Sequence, residues 1–418
     1  MSDLRLVAAL CLALVCATLS YTTYSALVPT FIAEWRINNT ESGLISGAFF
    51  AGYVAAVPVL VSLTDRIDPR RILLASLALS ALASAAFALV VDGFWSAVAF
   101  RLLGGVGLAG SYMPGMKALS DRLHGKAQAR AVTFYAASFY LGVALSVLSA
   151  AWSTQALGWR AAFAANAAET LVALAIVFAT LPKAASRPRR AAPGHPFDFR
   201  PVIRNRRAMA YVVGYAAHNW EVIGFHAWVV AFLTFSAGLE PGRGGPWSPE
   251  EIVTLVLFAS VPAAIFGNEI AQRFGRRRTL IALMTASAGL ALALGFGAAL
   301  PFSAVVALTG LYAVSTAADS GGLSAGTVAA AEPDRMGATM AMHSTLGFLA
   351  GMLGPVAFGW LLDATGGGAT VASWGTAFAG LALGVMVGPL TLALLGRDKP
   401  ATAGAAAMAP RAPRASKK

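Results

Sequence analysis

The sequence predicts an all-α membrane protein of about twelve transmembrane helices, arranged in two pseudo-symmetric six-helix bundles. Three observations carry that expectation. Of 418 residues, 57% are hydrophobic and only 12% charged, about half the ~25% charged of soluble domains. The charges gather in short clusters between apolar stretches of about twenty residues, the length that crosses a ~30 Å hydrocarbon core. Stretches of the first half also recur in the second.

From the N-terminus, the apolar runs cover 6–32, 43–64, 72–91, 95–116, 131–153, 161–181, 209–236, 251–271, 279–299, 303–330, 338–362 and 371–395. The first continues from Leu6 through Tyr21, Tyr24 and Pro29 to Ile32. That is too long for a signal-peptide core, so a retained span is expected. Cys11 and Cys16 both lie in it, at no disulfide or metal-ligand spacing. The Pro- and Arg-rich stretch Lys183 to Arg207 carries a single acid, Asp198. It divides an N-terminal bundle (1–182) from a C-terminal bundle (208–396) and is expected to be a basic linker (183–207) that touches anionic headgroups. Residues 397–418 are Ala, Pro and basic residues without apolar period, expected to be a disordered tail.

The formal net charge of +12 could suggest nucleic acid, but a nucleic-acid binder gathers its basic residues on one soluble face. Here 27 of the 31 Lys and Arg fall in alternate inter-span segments that include both termini and the linker. Only Arg36, Arg160 and Arg243 fall in the opposite set, and Arg101 lies within a span. By the positive-inside rule both termini and the linker are cytoplasmic, in a bacterial inner membrane, and no nucleic-acid partner is expected.

Between spans 2 and 3 the chain reads Leu63-Thr-Asp65-Arg66-Ile-Asp68-Pro-Arg70-Arg71; between spans 8 and 9 it reads Ile270-Ala-Gln272-Arg273-Phe-Gly275-Arg276-Arg277-Arg278, displaced by 207 positions. Arg130 precedes Leu141-Gly142 as Arg335 precedes Leu346-Gly347, displaced by 205. A period of half the chain fits two bundles related by an axis along the membrane normal. The loop of Asp65, Arg66, Arg70 and Arg71 resembles the loop 2–3 signature of the major facilitator superfamily. Arg101-Leu-Leu-Gly-Gly105-Val-Gly107 resembles that superfamily's span-four signature. The resemblance covers residues 5 to about 396. Val61, Asp68 and Gln272 depart from it, standing where the family has Gly, Gly and an acid. It implies a conformational latch at Asp65, Arg66 and Arg70, with a weaker copy at Arg273. It also implies that spans 1, 4, 7 and 10 line a central cavity.

An ionisable side chain near the bilayer centre costs at least ~2.5–3.5 kcal/mol, so each needs a partner or water. Arg101, His218, Glu221 and Asp319 all lie on the implied cavity spans; Glu169, His226 and His343 also fall within spans. His218 and Glu221 are three apart, on one helical face and within reach of each other. A His beside a carboxylate can shuttle protons near neutral pH. His218, Glu221 and Asp319 are therefore the expected proton-coupling group. Arg101 is expected to partner an acid or an anionic substrate. Tyr21, Tyr24, Tyr112, Trp220 and Tyr312 complete the expected substrate site, while Glu169 finds no role.

These features lead to a secondary transporter of a small polar or anionic solute, driven by protons through alternating access. The stretch from His218 to Glu221, with Trp228, resembles the cyanate/nitrate-related branch. Spans 2 and 8 lack the interior arginines that nitrate carriers of that branch use, which disfavours nitrate itself. The alternative is a proton-driven efflux pump for hydrophobic or cationic drugs. Span 5 lacks the Gly-Pro pair that antiporters of the superfamily often carry, which counts against it. No paired carboxylates, metal-ligand spacing, nucleophile elbow or phosphate loop points to an enzyme, a metal or a cofactor. A monomer is expected, with the solute, protons and lipids as partners.

Overall fold

A computed structural model describes residues 3–64, 66–183, 199–332 and 335–395, and all regular secondary structure among these is helical. Span 1 comprises α1 (Asp3–Thr18), α2 (Thr23–Ala26) and α3 (Val28–Trp35). Spans 2 to 6 are α4 (Asn39–Leu63), α5 (Pro69–Val90), α6 (Phe94–Ser120), α7 (Gly125–Leu157) and α8 (Trp159–Thr180). After a short helix α9 (Arg200–Arg204), spans 7 to 9 are α10 (Arg206–Ala237), α11 (Pro249–Phe274) and α12 (Arg276–Phe296). Span 10 is α13 (Phe302–Ala318) with α14 (Ser320–Ala330), span 11 is α15 (Met336–Ala364), and span 12 is α16 (Val371–Val385) with α17 (Val387–Leu395). Spans 2 to 12 are each long and apolar enough to cross a membrane.

Span 1 corrects the expectation of one unbroken helix over 6–32, because its pieces are individually too short. The Ser20-Tyr-Thr-Thr23 stretch favours local turns over helix, and Pro29 can enter α3 only in its first turn. The backbone freed at the break is satisfied by span 5: Thr22 N–H donates to Ser146 Oγ at 3.0 Å, and the two hydroxyls lie 2.7 Å apart. Irregular backbone at membrane depth persists only where protein meets its polar groups in this way.

Packing repeats between the halves. Span 2 lies on span 4 as span 8 lies on span 10; span 3 lies on span 6 as span 9 lies on span 12; span 1 lies on span 5 as span 7 lies on span 11. The bundles meet most extensively along two seams, span 2 with span 11 and span 5 with span 8, which the same two-fold exchanges, and span 7 also touches the α2 and α3 pieces of span 1. Spans 2 and 8 even start alike. Asn38 caps α4 and Ser248 caps α11, each in a capping box with the acid three residues on, Glu41 and Glu251. Gly105, in the span-four signature, lets the backbone of span 2 approach: a Cβ there would collide with the Phe49 carbonyl.

The twelve crossings leave Lys183 and α9 on one face, here called the linker face. The first residues of α4, α6 and α11 and the last of α10 and α15 lie on the opposite face. Residues 184–198 of the expected linker, the expected tail and Asp65 lie outside the described residues.

Candidate functional site

Span 10 breaks where its acid sits. α13 ends at Ala318 and α14 begins at Ser320, followed by Gly321 and Gly322, weak helix formers. Asp319, 1% exposed, stands at the junction and faces span 7. Its Oδ1 lies 2.6 Å from Nδ1 of His218, itself 5% exposed. The two atoms are not aligned as a hydrogen bond, so the contact is one of charge and proximity.

Glu221 does not join this pair. Its carboxylate, fully buried, accepts from Ser287 Oγ of span 9, which is 3.0 Å from both oxygens. The Tyr312 hydroxyl neighbours the same carboxylate without an aligned hydrogen bond. This corrects the expected His218–Glu221 contact. Residues three apart diverge by about 60° around a helix, and here span 10 fills one direction and span 9 the other.

A second histidine lies beyond His218. The ring of Tyr215 stacks on His343 of span 11 at 3.8 Å and on His218 at 5.7 Å. His343 is held by span 10, with Thr327 Oγ1 3.0 Å from Nδ1 and Ser324 Oγ 3.4 Å from Nε2. From the other bundle, the Tyr140 hydroxyl reaches Ser320 Oγ at 3.2 Å, one residue from Asp319. Tyr53 and Phe348 face each other across span 2 and span 11 at 4.2 Å. Tyr21 and Tyr112 join this belt through Phe139, at 5.5 and 5.0 Å, and both lie within electrostatic reach of Tyr140 and Tyr215. The belt is thus built by tyrosines from both bundles around the His218–Asp319 contact.

Arg101 stands apart, which corrects its expected pairing with an acid. It is 5% exposed, its guanidinium lies 4.4 Å from the Phe49 ring centre and 5.6 Å from that of Tyr24, and its Nε has no hydrogen-bond partner. No described carboxylate pairs with it. Depth explains the separation. Counted from the face opposite the linker, Arg101 is about 10 Å into span 4 and Asp319 about 26 Å into span 10, at ~1.5 Å per residue. Tyr24, whose hydroxyl is 3.2 Å from Ser42 Oγ, belongs with Arg101 in this shallower pocket.

Trp220 is also corrected. Two residues beyond His218 is about 200° around the helix. Its indole Nε1 donates to the Gly380 carbonyl of span 12 at 3.3 Å, away from the belt. Glu169 accepts from Ser149 of span 5 at 2.7 Å, outside the site.

Of the expected latch residues, Arg70 and Arg273 make contacts within their own bundles. Arg70 stays within its own bundle, donating to the carbonyls of Leu181 at 2.6 Å and Phe178 at 2.9 Å at the end of span 6. Arg273 lies against the ring of its neighbour Phe274, at 5.8 Å. Arg66 is exposed on the linker face. Hydrogen bonds between described residues of the two bundles form at two places: Tyr140 with Ser320, and Asn39 and Thr40 with the end of span 11.

Sequence reasoning missed Tyr53, Tyr140, Tyr215, Ser287 and Ser320. Spans 2, 5 and 9 were not expected to face the site, and Tyr215 carries no charge to single it out. Its spacing of three from His218 was the available signal.

Two helical bundles, polar groups buried at mid-depth between them and broken helices beside those groups define a membrane transporter fold. The sequence pattern of the Major Facilitator Superfamily matches residues 10–249, and the chain belongs to that superfamily. Over 150 residues it is 30% identical to the uncharacterized MFS-type transporter YbcL of Bacillus subtilis, covering 35% of this chain and 37% of that protein. Over 153 residues it is 28% identical to the probable sphingolipid transporter spinster homolog 1 of Arabidopsis thaliana, covering 36% and 30%. The match therefore spans about a third of those proteins' own lengths. Among solved structures, a bacterial homolog of the human lysosomal transporter Spinster, inward-facing and unoccupied, aligns with TM-score 0.72 at 16% identity over 94% of this chain and 95% of that one. The nucleoside transporter NupG aligns with TM-score 0.75 at 14% identity over 96% and 100%. At these identities both show the fold alone.

Proposed function

We propose that this protein moves a small solute across the cytoplasmic membrane by alternating access, driven by protons. The linker face is placed in the cytoplasm on the distribution of Lys and Arg. The single observation that carries the coupling is the buried His218–Asp319 contact at the break in span 10. With imidazolium and carboxylate both charged, the pair pins the junction of α13 and α14 to span 7. A proton taken up by Asp319 removes its charge and weakens the pin, so protonation biases which way span 10 leans. One charge moving through 100 mV supplies about 2.3 kcal/mol, enough for useful accumulation.

The tyrosine belt supports a solute that is small, polar and flat enough to lie between rings while accepting hydroxyl donors. Arg101, buried with an unpartnered Nε, supports an anionic group or acceptor in the shallower pocket. The cyanate/nitrate-like stretch of span 7 adds little to the choice of anion, because Trp220 and Trp228 of that stretch pack on spans 12 and 11.

The test is reconstitution in liposomes carrying an internal pH dye, after a thermal-shift screen of small anions, amino acids and nucleosides for a ligand. Solute-dependent proton flux is expected. Unchanged flux in the combined Glu221→Gln, His218→Ala and Asp319→Asn protein would sink the coupling assignment. A second reading, export of hydrophobic compounds, is favoured by one feature. A largely apolar cleft of about 600 Å³ lies between spans 1, 5 and 8, lined by residues such as Leu4, Phe134, Leu141 and Phe258. Hypersensitivity of a deletion strain to such compounds separates export from uptake.

A further inference from the structure

The most heavily hydrogen-bonded crossing between the bundles lies on the face opposite the linker, far from the signature loops. Asp363, in the last turn of span 11, accepts at Oδ1 from the Asn39 N–H at 3.1 Å and from Asn39 Nδ2 at 2.7 Å. Its Oδ2 accepts from the Thr40 N–H at 2.8 Å and the Thr40 hydroxyl at 2.6 Å. Asn39 and Thr40 are the first two residues of α4, and the N–H of the third, Glu41, is taken by Asn38. A carboxylate from one bundle therefore satisfies the free amides, and meets the positive end, of a helix of the other.

Below this contact the two helices close backbone to backbone. A Cβ on Gly359 would strike the Asn39 carbonyl, and one on Gly43 would strike that of Pro355. Tyr53 and Phe348 continue the seam toward mid-depth. The other seam, span 5 with span 8, is its two-fold equivalent. There the matching helix end reads Gln155-Ala-Leu-Gly158 and has no acid. The fold thus builds the equivalent joint without one, so this acid cap belongs to one seam alone.

We propose that Asp363 is the latch that keeps the face opposite the linker shut, by capping α4 across the bundle boundary, and that this face opens only when the cap is released. The proposal rests on the alternating-access reading. Its geometry favours closure because the four hydrogen bonds exist only while the ends of spans 2 and 11 touch.

The experiment uses the full chain with Cys11 and Cys16 changed to Ser. Spin labels go at two exposed opposite-face positions, Val90 at the end of span 3 and Leu300 in the connection after span 9. A second protein carries labels at Arg71 and Arg278 on the linker face. Asp363→Ala is expected to raise the long-distance population of the Val90–Leu300 pair by about tenfold over the Asp363 protein, with the opposite trend for Arg71–Arg278. Thr40→Val, which removes one donor at nearly constant volume, shifts both in the same direction by less, and serves if Asp363→Ala does not fold. An unchanged distribution in either folded variant, with two populations still present at the linker-face pair, overturns the latch alone. A single distance at both pairs in every variant overturns the alternating-access reading, and the latch with it.

Discussion

Arg70 and Arg277, 207 positions apart, perform the same task in the two bundles. Arg70 donates to the Leu181 and Phe178 carbonyls at the end of span 6. Arg277 donates to the Leu392 and Ala393 carbonyls at the end of span 12, at 2.7 and 2.8 Å. Each guanidinium satisfies free carbonyls and sits at the negative end of a helix. On the other face Arg160 does the same for Ala88 and Val91 at the end of span 3, and Arg243 for Ala298 and Leu300 after span 9. Arginines placed by the positive-inside pattern and arginines that break it share one local chemistry.

Removing either cap is therefore expected to act on stability. Arg70→Ala and Arg277→Ala should each cost about 2–3 kcal/mol, as lost hydrogen bonds to a charged donor do. The sites are in separate bundles, so the double variant should be near additive. Thermal unfolding in detergent measures this. An unshifted melting temperature with a changed transport rate would instead assign Arg70 to the conformational latch.

His218 and Asp319 are expected to fail together. Asp319→Asn and His218→Asn should each abolish proton-driven accumulation while solute exchange across liposomes continues within about threefold, since the neutral pair still fits its pocket. The double variant should be no worse than either single one, because they form one unit. Additive losses would show two independent roles.

Arg101 is expected to act on solute affinity. Arg101→Lys keeps the charge but loses the planar stack on Phe49 and Tyr24. KM for uptake should rise about tenfold with little change in the maximal rate. A reduced maximal rate at constant KM would move Arg101 from binding to the conformational step.

Trp220 and Tyr215 should separate cleanly. Trp220→Phe loses one hydrogen bond to Gly380, worth about 1 kcal/mol, and transport should stay within about twofold. Tyr215→Ala, by contrast, removes the ring between His218 and His343 and should lower coupled uptake at least tenfold. Radiotracer uptake at matched protein levels decides, and equal defects would place Trp220 in the solute path after all.

The sequence alone determined that this chain crosses the membrane about twelve times, because apolar length against bilayer thickness needs no partner. It also determined the two-fold, since Asp65-Arg66 and Gln272-Arg273 repeat at a fixed displacement. What only the tertiary structure decided were the partners. His218 meets Asp319, a hundred and one residues away, rather than Glu221, three away, and Asp363 meets Thr40 across the whole chain. Helical periodicity fixes where a side chain leaves its own helix. Which helix stands there, and at what depth, is set by how the two bundles close on each other.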